Sequence, residues 1–251
     1  MMLRSIIKIS GPDRVKFLQG LVTNDLRHLS TEGIIYAAIL SPQGKYLVDF
    51  FIVVRDDVLL IDVAQDHADD LLRRLMLYKL RSDVTVEQLD MPVSRGTGSR
   101  PEGAHPDPRH PALGWRIYGA ALPEDGTDWD ALRVAHCIPE TGVELIPNDT
   151  YILEAGFERL NGVDFRKGCY VGQEVTARMH HKTSLRKGFT TVTLDGETSF
   201  GTEIRADTKP VGQVFTRAGD QAIAYMRFDR ADGPLFAGRA RVMLDPSVKT
   251  A

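Results

Sequence analysis

Cysteine is scarce in this sequence: Cys137 and Cys169 are the two thiols in 251 residues. Two thiols form at most one intramolecular disulfide, and these lack the short paired spacing of a zinc site, so reduced thiols and no metal are expected. They also fall short of the four thiolates that usually hold an iron-sulfur cluster, which disfavours a permanent cluster within one chain. Net charge is equally slight, at -3, so bulk electrostatics implies no polyanionic partner. No apolar run approaches the roughly 18 residues of a membrane span, and the opening MMLRSIIKISGPDRVKF has no small-residue cleavage site. From these absences the expectation is a cytoplasmic protein with neither membrane nor nucleic acid as a partner. No fixed-period repeat is present.

What the chain does have is the composition of a folding globular protein, 43% hydrophobic and 26% charged. GPDRVKFLQGLVTNDLRHL puts Val15, Leu18, Leu21 and Val22 on a helical spacing after Gly11-Pro12-Asp13. IIYAAILSPQGKYLVDFFIVV reads as two strands around a Ser41-Pro42-Gln43-Gly44 turn, and VLLIDV adds another. DHADDLLRRLMLYKL predicts a helix with Leu71, Leu72, Leu75 and Met76 on one face, and its acids precede its bases as the helix dipole favours. DVTVEQL alternates like a strand, so the order is α+β. Residues 92–114 concentrate Pro and Gly without periodicity and predict a loop. A helix is expected over DWDALRVAHC, arrested by Pro139. Beyond about residue 186 the short runs FTTVTL, VGQVFT, QAIAYMRF and RARVML predict a small β-barrel or sandwich, with a boundary near Leu185.

The densest chemistry lies in KGCYVGQE, residues 167–174. A thiol reacts as the thiolate, which a neighbouring cation favours, and Arg166 and Lys167 stand beside Cys169. Gly168 and Gly172 strip side-chain bulk from both sides, permitting unusual backbone angles or close approach of a ligand. The bland alternative is a tight turn whose small thiol faces the core. His180 and His181 invite a Cys-His pairing, but catalytic partners meet in space rather than in sequence. The basic run Arg178, Lys182, Arg186 and Lys187 suits an anionic tail or RNA phosphates, without the aromatic interleaving of a single-strand binder. Asp49 interrupts the apolar strand YLVDFFIVV and costs free energy there unless something satisfies it. Thr23, Asn24 and Asp25 offer short donors and acceptors that suit either a ligand or a self-capping helix end.

Lys167-Gly168-Cys169-Tyr170-Val171-Gly172-Gln173-Glu174 resembles the signature of the YgfZ-type folate-binding proteins, supported by GPDRVKFLQGLVTNDL, LSPQGKYLVDF, DPRHPALGWR and LEAGFERLNGVDFRKG. The resemblance spans most of residues 6–185. It implies the fold of the glycine cleavage aminomethyltransferase: an α+β folate-binding region over residues 1–185 and a C-terminal β-barrel over 186–251. It also implies tetrahydrofolate or a derivative as cofactor, and a part in assembling or maintaining iron-sulfur clusters in client proteins, including tRNA-modifying enzymes.

A folate needs an apolar wall, a few polar groups and a cation. Thr23, Asn24, Asp49 and Glu154 are the polar candidates, Arg166 or Lys167 the cation, and Cys169 the reactive group. Where the aminomethyltransferases carry a lysine and then Phe-Ile-Gly-Lys-Glu, this chain inserts Cys169 and carries Gln173. Their catalytic aspartate falls near Val48 or Asp49, so a folate-dependent aminomethyltransferase is the alternative. A non-enzymatic RNA or protein docking module is the third reading.

Overall fold

The computed structural model describes residues 3–181 and 185–245. In chain order its elements are β1 (Arg4–Ser10), α1 (Arg14–Gln19), a single turn α2 (Leu29–Glu32), β2 (Ile34–Leu40), β3 (Tyr46–Arg55), β4 (Val58–Ala64), α3 (Gln65–Lys79) and β5 (Thr85–Leu89). There follow β6 (Val93–Gly96), β7 (His105–Pro106), β8 (Trp115–Tyr118), α4 (Trp129–Ala135) and α5 (Gln173–His180). The last stretch holds β9 (Lys187–Asp195), β10 (Glu203–Ala206), β11 (Lys209–Ala218), β12 (Gln221–Arg227), β13 (Leu235–Ala237) and β14 (Ala240–Leu244). The class is α+β, as the pattern predicted. Two compact units result, Met1–Thr127 with Phe157–Val175, and Asp128–Gly156 with Thr176–Ala251.

The first unit is built on an antiparallel sheet of order β2-β3-β4-β1-β5. Its β2-β3 hairpin closes at the predicted turn, where Gly44 takes φ +75 and donates its amide to Ser41 O. Alternation divides the residues of the sheet between two faces. Ile35, Ala37, Ile39, Val48, Phe50, Ile52, Ile61 and Val63 share a core with Leu71 and Leu75 of α3 and Leu18 of α1. Tyr36, Phe51 and Asp62 form a cross-strand row on the other face, since Tyr36 pairs with Phe51 and Phe51 with Asp62.

Three expectations need correction. Met76 is 52% exposed, because it lies about 100° round the helix from Leu75 and leaves the buried stripe. The first helix stops at Gln19, with Gly20 as its cap, glycine being a poor helix former. The Pro/Gly stretch 92–114 is not all loop: β6 and β7 flank β8 in a three-stranded sheet. Strands of two to four residues are too short to print a period. A Cβ on Gly114 would stand 2.1 Å from Gly96 O, so one glycine there permits close backbone approach.

The second unit holds a closed barrel of order β10-β11-β12-β9-β14-β13. Strict alternation along β9 sends Thr190, Val192 and Leu194 inward, and Ile204, Val214, Met226 and Leu235 complete that core. Arg133 of α4 ties this unit's other segment to the barrel, reaching Glu144 Oε2 at 2.9 Å and Thr216 Oγ1 at 3.0 Å. Neither cysteine is in a disulfide.

Candidate functional site

Cys169 is exposed, on a loop held at both ends. On its N-terminal side, Thr23 Oγ1 donates to Gly162 O at 2.6 Å and accepts from Ala38 N at 2.9 Å. Asn24 Nδ2 donates to Tyr36 O and Asn161 O, each at 2.8 Å, while its Oδ1 accepts from Asp25 N. His28 Nε2 lies 2.9 Å from Asp164 Oδ2, and the other oxygen of Asp164 caps Arg166 N. Lys167 is 4% exposed, and its ammonium donates to Gln19 O at 2.8 Å and to Val22 O. Those are carbonyls at the end of α1, where cations are favoured. The Lys167 Nζ also stands 4.8 Å from the centroid of Tyr170. Burial lowers the Lys167 pKa to about 8, against the pull of Asp25 and Asp164.

On the C-terminal side the loop docks on the β2-β3 turn. Gly172 has φ +83, and a Cβ there would meet Ser41 O at 2.5 Å and Leu40 Cβ at 2.9 Å. A Cβ on Gly44 would in turn meet Val175 Cβ at 2.8 Å and Gly172 O at 3.2 Å. The two glycines therefore let two sequence-distant turns touch. Gly168 has open space around it, beside the exposed Cys169. Expectation and structure part here: Thr23, Asn24 and Lys167 spend their polar atoms holding the loop, so Lys167 is not the free cation expected of it. Arg166, the other cation named for that role, is exposed.

Asp49 lies in the same unit, on the face opposite Val48, which packs in the helix-covered core. Asp49 accepts hydrogen bonds from Tyr46 OH at 2.6 Å and Tyr36 OH at 2.9 Å. Burial and the Asp49 carboxylate together raise the Tyr36 pKa well above its usual value, keeping the donor protonated. Phe157 packs against both tyrosines, with centroids at 5.1 and 6.5 Å. Only one of the two register candidates for an acid, Asp49, thus lies among aromatic and polar groups.

Beside it is a buried ionic network that sequence reasoning missed. Asp62 is 0% exposed and accepts from Arg4 Nε at 2.6 Å, Arg116 Nη2 at 2.7 Å and Tyr118 OH at 3.0 Å. Arg109 grips Asp107 with bonds of 3.0 and 2.8 Å. The guanidinium carbons of Arg116, Arg109 and Arg4 stand 4.0, 4.9 and 5.6 Å from the Phe51 centroid, within cation-π range. Burial raises the Asp62 and Asp107 pKa values, and the arginines outweigh it and hold both below the usual range. The signal was available, since Asp62 interrupts VLLIDV as Asp49 interrupts its own strand.

The other candidates are scattered. Glu154 belongs to the second unit and accepts from Tyr225 OH at 2.7 Å. Gln173 opens α5, with Glu174 exposed in its first turn. The rings of His180 and His181 meet edge to face, with centroids 5.5 Å apart. Of the basic run, Arg178 and Arg186 are exposed, Lys187 is half-buried, and Lys182 lies outside the described residues. No cluster of metal-ligating side chains occurs among the described residues.

Residues 186–248 match the family model of the CAF17 C-terminal β-barrel domain. The human mitochondrial iron-sulfur cluster assembly factor IBA57 is 30% identical to this chain over 276 residues, covering 92% of this chain and 78% of the human protein. The chain belongs to the IBA57 family. Its homologue from Mycosarcoma maydis is 32% identical over 73% of this chain and 54% of that protein, and the one from Neurospora crassa is 33% identical over 73% and 50%. The chain thus spans about half the length of these fungal IBA57 proteins. The fold is that of the glycine cleavage system aminomethyltransferase T from Bartonella henselae, at a TM-score of 0.77 and 12% identity, covering 98% of this chain and 84% of that one. Two expectations are corrected. The family name is IBA57 rather than YgfZ, and these relatives are mitochondrial, so the lack of a cleavage motif was no ground for a cytoplasmic assignment.

Proposed function

We propose that this chain is an accessory factor for assembly or maintenance of iron-sulfur clusters in client proteins, and that it binds tetrahydrofolate or a derivative. The observation that carries the proposal is the exposed Cys169 on a loop pinned at both ends, in a chain whose relatives are named as iron-sulfur assembly factors. A rigid loop presents its thiol in one geometry, which a handoff between proteins requires. The resemblance of KGCYVGQE extends the clients to enzymes that modify tRNA. We assign the folate region to residues 1–185 and the barrel domain to 186–251.

The residues present fit a folate. Asp49 is a carboxylate oriented by two tyrosine hydroxyls, an acceptor of the kind that suits the amide and amine donors of a pterin edge. The rings of Tyr36, Tyr46 and Phe157 are buried and back the Asp49 carboxylate, and Arg166 is the cation for the tail carboxylate. Thr23 and Asn24 hold the loop, and Glu154 serves Tyr225. When bound, a reduced folate supplies a one-carbon acceptor.

Two experiments test this. Calorimetric titration with tetrahydrofolate should give saturable binding that Asp49→Leu abolishes, and no binding to the wild type refutes the folate. In cells lacking the protein, Cys169→Ala should fail to restore the activity of a cluster-dependent enzyme at equal expression, and full restoration removes the thiol from the mechanism. Asp49 also favours the alternative, a folate-dependent aminomethyltransferase. Methylenetetrahydrofolate formed from an aminomethylated lipoyl carrier would establish that reading.

A further inference from the structure

At the C-terminal end of α3 the chain exposes apolar side chains where a soluble surface gains nothing from them. Leu77 is 72% exposed, Leu80 is 86% exposed, and Met76 lies beside them. Leu80 also has φ +44 and ψ -107, a backbone conformation that suits glycine and strains a residue carrying a Cβ. A glycine at this helix end would remove both the strain and the exposed hydrocarbon. Such a double cost directs attention to what covers the residue.

Charge says what. Acids occupy the start of α3, with Asp66, Asp69 and Asp70, while the end carries Lys79 and then Arg81. The start of α1 lies at this same end, because Asp13 N donates to Asp83 O and Asp83 N to Asp13 Oδ2, and it adds Lys16. Neither Lys16, Lys79 nor Arg81 forms an ion pair among the described residues. Of the two acids here, Asp13 spends an oxygen on the Asp83 amide. Leucine standing beside unpaired lysine and arginine matches the Leu and Lys/Arg content of interfacial anchors. Protein hot spots favour Trp, Tyr and Arg over Leu.

We propose that this end of the first unit docks end-on against an anionic lipid surface, with Leu77 and Leu80 entering the acyl boundary and Lys16, Lys79 and Arg81 meeting headgroup phosphates. An end-on pose keeps Asp66 and Asp69, at the far end of α3, away from the headgroups, while Asp70 is paired with Arg73 and Arg74.

The test is sedimentation of the full chain with vesicles of phosphatidylcholine alone and of phosphatidylcholine with 30% phosphatidylglycerol. The wild type should pellet with the anionic vesicles and remain in solution with the neutral ones. Raising salt from 0.05 to 0.5 M should weaken the association at least fivefold. Leu80→Gly should lower it about tenfold while leaving thermal stability equal or higher, which separates docking from folding. Leu77→Ser provides a second variant that leaves Leu80 in place. A wild type that stays in solution with anionic vesicles overturns the proposal. So does a dimer in sedimentation velocity that Leu80→Gly dissociates, which would assign the patch to a second copy of the chain.

Discussion

Replacing Lys167 with methionine isolates the tie between the Cys169 loop and the end of α1. The substitution keeps the length and apolar stem of the side chain but removes the donor to Gln19 O and Val22 O. Two carbonyls then lose a charged donor, at about 1.5–3 kcal/mol each in gross terms, and relief from burying an ammonium returns part of that. A net destabilisation of about 2–4 kcal/mol is expected. The pH dependence carries a second signature. Because the folded pKa of about 8 lies below the ordinary lysine value of 10.5, the unfolded chain binds more protons between those values. The lysine therefore weakens the fold less as pH rises from 8 to 10.5, with a steepest slope of about 1.4 kcal/mol per unit. Urea unfolding of both proteins at pH 7 and 9.5 measures the effect. The gap between them should widen at the higher pH, and Cys169 in a Cys137→Ser background should react with Ellman's reagent at a changed rate. A variant within about 0.5 kcal/mol of wild type at pH 7, or a gap that narrows with pH, would refute the reasoning.

Gly172→Ala should cost about 2–3 kcal/mol, combining left-handed backbone strain with a Cβ inside contact distance of Ser41 O, whereas Gly168→Ala should leave the melting temperature unchanged. Arg116→Met should cost about 3–5 kcal/mol by leaving Asp62 a buried carboxylate with a principal counter-charge gone, read by chemical denaturation. Asp25, lowered to about 2 chiefly by the Arg27 side chain, contributes stability that is full above about pH 4 and lost as pH falls to 2. Asp25→Asn should flatten that part of an acid titration followed by circular dichroism.

The elements that the chain announced are those with a long, regular period: the β2-β3 hairpin, α3 and the barrel strands. The three-stranded sheet was illegible because its strands run two to four residues and because Gly114 pairs backbones that periodicity does not describe. In the site, the exposure of Cys169 followed from glycines and cations around it. The roles of Thr23 and Asn24 did not, since a side chain that serves a ligand and one that serves a carbonyl 137–139 residues away look alike in one dimension. Lys167 misled for the same reason: its charge was read as available when the fold had spent it. Asp62 was legible on the same ground as Asp49, an acid interrupting an apolar strand.

The tie from Lys167 to Gln19 joins positions 148 residues apart. At 5–20 residues per second of synthesis, about 7–30 s separate the emergence of the two. For that interval the first helix leaves the ribosome without the ammonium that will cap it. The thiol loop can take its final shape only once Gly172 has emerged as well, so a product truncated before it presents the cysteine without its geometry.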